Sequence, residues 1–152
     1  METFRKEIQQ MTGWSDTIIN AIQRTEEAYI YLKAGLKEAI VNGKPALIQP
    51  NIDPNYLMPE WWINQHGENW RGWSNADLMA EGYPPHDDNG DPYELHHIGQ
   101  LANSPLAELT WAQHREGTNY TILHSLDDYS DIDRSIFEKE KAAYWMARYK
   151  IL

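Results

Sequence analysis

The stretch from Tyr93 to Gly117 constrains the fold more tightly than any other part of the chain. Tyr93-Glu94-Leu95-His96-His97-Ile98 reads as a strand ending at Gly99, and Pro105-Leu106-Ala107-Glu108-Leu109 as a second short strand. Thr110 then opens a short helix. Thr110 and Gln113 stand at the spacing where hydroxyl and amide satisfy each other's backbone donors in a capping box, and Gly117 stops the helix. Strand, loop, strand and capped helix in that order predict a β-hairpin with a helix packed across it.

The flanking sequence predicts mixed structure. Ser15 is suited to cap a helix over about 15–33, in which Asp16 favours the positive end and Ile18, Ile19, Ile22 and Tyr29 keep near-helical spacing. Asn42-Gly43 separates the apolar runs Leu36–Val41 and Lys44–Ile48, a strong hairpin signal because a type I′ turn needs positive φ at both central residues. Pro45 cannot donate to a ladder, so its strand is expected at an edge or to start after it. From Gln49 to Asp91 the chain is rich in Pro, Asn, Asp and Trp without sustained period. A short helix over about Asn75–Glu81, capped by Asn75, fits there. The rest reads as ordered loop, because Trp61, Trp62, Trp70 and Trp73 are too much apolar surface to leave in water. A last helix over about 131–149 has Asp131 near its start and Arg148 and Lys150 near its end, with Ile132, Ile136, Phe137, Ala143 and Tyr144 on its buried side. No repeat interrupts this order, so one α+β domain spanning 1–152 is the simplest reading.

Composition excludes several chemistries. The chain has no cysteine, which removes disulfides, thiolate metal sites and cysteine nucleophiles together. No apolar run approaches the roughly 20 residues needed to cross a bilayer, and the N-terminus carries no apolar signal-peptide core. Seven Trp and nine Tyr argue against disorder.

Four of the six histidines, His96, His97, His114 and His124, fall between residues 96 and 124. Imidazole is the commonest metal ligand and suits acid–base work near neutrality. The predicted hairpin and helix bring these rings toward one place, a compact scaffold for one metal ion. One geometric demand follows: successive side chains on a strand point to opposite faces. His96 and His97 are therefore expected to share a site through a bend, which Gly99 is placed to permit. The plainer readings make His66 and His86 non-catalytic loop residues, the tryptophans core, and Asp127, Asp128, Asp131 and Asp133 a solvated approach to the last helix.

The block Glu94–Gln100, the run Ser104-Pro105-Leu106-Ala107-Glu108-Leu109-Thr110, His114-Arg115, and Asn119 through Leu123-His124 resemble the LHH branch of the HNH/endonuclease VII superfamily. The resemblance is densest over about 87–125 and weaker upstream and downstream. It implies a ββα-metal (His-Me finger) nuclease core within an α+β domain, in which His97 is the general base, His96 and His114 are metal ligands, and the third ligand is Asn119 or His124. Asn103 is implied as the residue that orients His97, and Arg115 as a holder of a phosphate oxygen. It implies one divalent ion (Mg, Mn, Zn or Ni) and a nucleic-acid substrate, DNA before RNA because the superfamily mostly cuts DNA. It also implies the C-terminal toxin module of a longer bacterial polymorphic toxin. Such a module acts in the cytoplasm of a target bacterium, and a cognate immunity protein holds it in the producer.

Charge pulls the other way. Thirteen Lys and Arg against 23 Asp and Glu leave a net charge of −10, which repels a polyanion. The cation, with Arg115 and Arg71 or Lys141, can make a local positive site, or binding energy can come from the longer parent. The competing reading is an acidic, non-catalytic binding or immunity-type module, which charge and composition favour and the histidines do not. A structural zinc site is a third.

Overall fold

The computed structural model describes residues 2–124 and 134–152. The fold is α+β, with helices at the N-terminus, a small sheet and a long C-terminal helix. Helices α1 (Glu2–Thr12), α2 (Asp16–Ala21) and α3 (Thr25–Lys33) come first. Then follow β1 (Lys37–Val41), β2 (Lys44–Ile48), α4 (Glu60–His66), α5 (Asn75–Ala80), β3 (Glu94–His97), β4 (Leu106–Leu109), α6 (Trp111–Arg115), α7 (Asn119–Leu123) and α8 (Arg134–Tyr149). None of the described helices is long and apolar enough to cross a membrane.

The four strands form one sheet in the order β1-β2-β4-β3. The two hairpins join through a single parallel pairing, Leu47 with Ala107, both fully buried. Asn42 and Gly43 take φ of +54° and +77°, as the type I′ reading of that turn requires. Pro45 lies inside β2, which is not an edge strand. It pairs with Ile40, one step beyond the turn-flanking pair Val41–Lys44, where the backbone N–H of an antiparallel pair points away from the partner. No bond to β1 is lost, and contact with β4 begins only at Leu47.

Side-chain alternation sorts the sheet's two faces. Leu47, Ala107 and Leu109 pack with Ile18, Ile22, Ala28 and Tyr31 of the N-terminal region, together with Leu123 of α7. Ala46, Leu95 and Leu106 pack with Phe137, Tyr144 and Trp145 of α8 on the other face. Glu108 is fully buried on this second face, where it accepts from Arg148 Nε at 2.8 Å, Tyr144 Oη at 2.6 Å and Gln49 N at 2.8 Å. Arg148 Nη2 also donates to the Gln49 carbonyl at 2.9 Å. Arg148 therefore serves as a buried ion-pair partner, not as the exposed dipole complement that its place near the helix end suggests.

Several local expectations change. The helix expected over 15–33 is two, because Ile22 and Arg24 are extended and Glu27 Oε1 accepts the Gln23 N–H at the break. Helices α1 and α4 arise where no element was expected. Ser74, not Asn75, caps α5, reciprocated by Asp77, while Asn75 is buried and holds His86 and Asp53 backbone groups. In α8, Phe137 and Tyr144 are buried as read, whereas Ile136 is 64% exposed. Trp62, Trp70 and Trp73 pack around Met58, Ile63 and Leu78. The acids at 127, 128, 131 and 133, and Ile132, lie outside the described residues.

Candidate metal and catalytic site

Hairpin β3–β4 and helix α6 build the site. The register pairs His96 with Ala107 and His97 with Leu106, so the strand is regular through both histidines. The bend comes after them, at Gly99 with φ +72°, and a Cβ there would stand 2.3 Å from the Ala21 carbonyl oxygen. The expectation that a bend lets both rings serve one site is thus corrected. Alternation holds, and β3 is an edge strand that a cavity can meet from both faces. Glu94 and His96 look toward α6 and α7, while Leu95 and His97 look toward α8. Both histidines line a cavity of about 620 Å³ beside β3, together with His114, Arg115, Tyr120, His124, Arg134, Phe137 and Lys141.

His96, His114 and His124 converge. One ring nitrogen from each lies within 4.8 Å of the other two, and the ring centroids are 5.4, 4.9 and 5.0 Å apart. The Thr110–Gln113 capping box starts α6, and its last turn carries His114. Gly117 ends that helix, and α7 leads the chain back so that His124, its C-cap, completes the triangle. His114 Nδ1 donates to Glu94 Oε1 at 2.7 Å, and His124 Nδ1 to the Tyr120 carbonyl at 2.8 Å. Each bond places the ring proton on Nδ1 and leaves Nε2 as the lone-pair nitrogen. Nε2 of His96 and Nε2 of His114 are buried without a hydrogen-bond partner. Such atoms cost about 1–3 kcal/mol each when nothing pairs them. Burial holds His96 well below the ordinary imidazole range, aided by the neighbouring His114, His124 and His97, and burial lowers His124 as well. Converging imidazole nitrogens, with two buried ring nitrogens that no hydrogen bond satisfies, are what a divalent ion binds, so these residues fit one.

Glu94 is the acid of this cluster. Burial alone would raise its carboxyl, but hydrogen bonds from His114 and Arg115 outweigh that and hold it below the usual range. Arg115 Nε donates to both Glu94 oxygens, at 2.9 and 3.1 Å, and the guanidinium lies over the Tyr120 ring. Tyr120 in turn stacks on His124, centroids 4.0 Å apart. On the opposite wall His97 Nε2 meets Glu140 Oε1 at 2.9 Å, and its ring packs on Phe137.

Three assignments shift. Asn119 does not face the cavity: its amide donates to the Gln113 carbonyl at 2.9 Å, and it lines a separate cleft between α3 and α6–α7. Asn103 is exposed in the β3–β4 turn, whereas Glu140, among the described residues, hydrogen-bonds His97. Arg71 is tied to Glu60 and Glu68, away from the cavity, which leaves Arg115, Arg134 and Lys141 as the cations along it. Glu94 had a readable signal, since a residue two before His96 shares its strand face. Glu140 had none near His97, being 43 residues away. His66 and His86 sit against Trp62, off the cavity.

A family model described as a nuclease of the HNH/ENDO VII superfamily with conserved LHH matches residues 74–151, a span that contains Leu95-His96-His97 and every side chain of the cavity described above. No curated protein and no solved structure matches the chain. Sequence match and converging histidines agree, and the chain belongs to the LHH family of HNH/endonuclease VII superfamily nucleases.

Proposed function

We propose that this chain is a metal-dependent endonuclease that hydrolyses phosphodiester bonds, DNA before RNA, and that it acts as a toxin module restrained by a cognate immunity protein. The observation that carries the catalytic part is the convergence of His96, His114 and His124 in the cavity that His97 also lines. Those three rings would hold the ion, and the all-imidazole set favours Zn or Ni over Mg or Mn. When bound, a divalent ion supplies Lewis-acid stabilisation of charge on the phosphoryl and leaving oxygens.

The remaining work falls to the chain itself. His97, with Nε2 bonded to a carboxylate oxygen that can only accept, keeps its proton there and leaves Nδ1, a buried atom, as the basic nitrogen that would take a proton from attacking water. Arg115 is held at the cavity wall by Glu94, where its terminal amines can meet a phosphate oxygen. Arg134 and Lys141, on the opposite α8 wall, add positive charge to the cavity, Lys141 beside its ion-pair partner Glu138, a local answer to the net charge of −10. The toxin and immunity roles rest on the sequence resemblance.

Incubating supercoiled plasmid and total RNA with the protein and Mg²⁺, Mn²⁺, Zn²⁺ or Ni²⁺ tests the reading. Plasmid nicking that His97→Ala abolishes is expected, as is slower growth of cells expressing the wild type but not His97→Ala. No cleavage of either substrate with any ion overturns the catalytic assignment.

A further inference from the structure

Alternation on β3 sends His97 away from the three-histidine cluster and onto α8. There the ring is gripped twice by residues one turn apart: Phe137 against its face, centroids 4.4 Å apart, and Glu140 at Nε2, 2.9 Å away. We propose that Glu140 is the positioning residue for the general base, fixing His97 in one ring orientation and one tautomer. This rests on the reading of His97 as the base.

The support extends along the helix. Glu140, Tyr144 and Arg148 stand at i, i+4 and i+8, one stripe of α8. The second and third close on Glu108 of β4, while the first reaches His97 of β3. His97 pairs with Leu106, two residues from Glu108 on β4, a separation of about 6.6 Å along a strand. Four residues of α8 rise about 6 Å. The two repeats match closely enough for one helix face to engage both positions. The buried Arg148–Glu108 pair, with Trp145 1% exposed beside it, hinders sliding of α8, so the Glu140 carboxylate arrives at His97 already placed. A carboxylate selects the tautomer with the proton on Nε2, and without it the neutral ring divides between tautomers and loosens.

The test uses the whole chain and two variants. Long-range ¹H–¹⁵N spectra of the metal-free protein read histidine tautomers directly. The wild type is expected to show His97 protonated at Nε2. Glu140→Gln, whose amide oxygen still accepts, keeps that pattern, and Glu140→Ala loses it to a mixture. In plasmid cleavage, Glu140→Ala is expected to lower kcat about 10–100-fold, as removal of an outer-shell orienting group does, with KM within about twofold. Glu140→Gln restores most of the rate. Calorimetry with Ni²⁺ should give the same affinity for all three proteins, because the ligands lie on the other face of β3. An unchanged His97 tautomer pattern in Glu140→Ala, or a kcat within about twofold of wild type, overturns the proposal. A wild type that cuts no substrate with any ion overturns the nuclease reading and the catalytic role of Glu140 together, while the spectra still decide whether the carboxylate fixes the ring.

Discussion

Glu94 Oε1 and His114 Nδ1 lie 2.7 Å apart, and this bond, with the two from Arg115 Nε, joins the first residue of β3 to helix α6 across the mouth of the hairpin. It fixes the His114 tautomer and leaves Nε2 as the lone-pair nitrogen. Glu94→Ala should therefore weaken Ni²⁺ or Zn²⁺ binding by about 10–100-fold without altering stoichiometry, since it removes an orienting partner and not a ligand. Calorimetry on the metal-free protein measures both quantities, and unchanged affinity would count against the arrangement.

His124 and Asn119 separate cleanly in the same titration. His124→Ala should lose more affinity than Glu94→Ala, because a ligand nitrogen itself is removed. Asn119→Ala should bind metal as the wild type does. Its only expected cost is the hydrogen bond to the Gln113 carbonyl, about 1 kcal/mol of stability in a urea titration.

The buried pair of Glu108 and Arg148 ties α8 to the sheet. Removing one partner strands a charge, so Arg148→Met should destabilise the fold by about 3–5 kcal/mol. Burial already raises the Glu108 carboxyl against the opposing pull of Arg148. Without that cation the carboxyl rises further, and protonation relieves it. The loss should thus be larger at pH 8 than at pH 5, which denaturant midpoints at the two values can check.

Acid should weaken the metal-free protein through its buried imidazoles. Burial lowers His86 from the ordinary value of 6.5, against the opposing hydrogen bond to the Gly90 carbonyl. Below pH 6.5 the unfolded ring takes a proton that the folded ring still refuses. Stability from this group is therefore complete above 6.5 and drains as pH falls toward the folded value. Glu27 and Glu108, raised by burial, act in the opposite sense, so the effect is isolated by difference. The Tm of the wild type should fall relative to that of His86→Gln between pH 7.5 and 5.5. A constant gap would show that His86 does not titrate as its burial implies.

Gly99 is needed for two reasons at once, its φ of +72° and the 2.3 Å approach of the Ala21 carbonyl to any added Cβ. Gly99→Ala should destabilise by more than the about 1 kcal/mol that left-handed backbone alone costs, and it should disturb the turn that follows His97. Thermal melts together with the cleavage rate report both effects.

What could be read without coordinates was local. The capping box of Thr110 and Gln113, the Asn42-Gly43 turn, and strands β3 and β4 depend on neighbours a few residues apart, whose φ preferences and hydrogen bonds act in any context. The histidine cluster was legible for the same reason: hairpin and capped helix together leave few ways to place His96 and His114. Contacts between distant segments were not. Nothing near His97 announces Glu140, nothing near Glu108 announces Arg148, and the break between α2 and α3 follows from Glu27 capping Gln23 within a packed interior. That His124 and not Asn119 lies beside His96 and His114 turned on where α7 points after Gly117. Short-range stereochemistry thus determined which elements form and which residue types could do the chemistry. The packing of α8 and α7 against an edge strand decided which of them meet, because burial energy acts between surfaces that sequence order does not bring together.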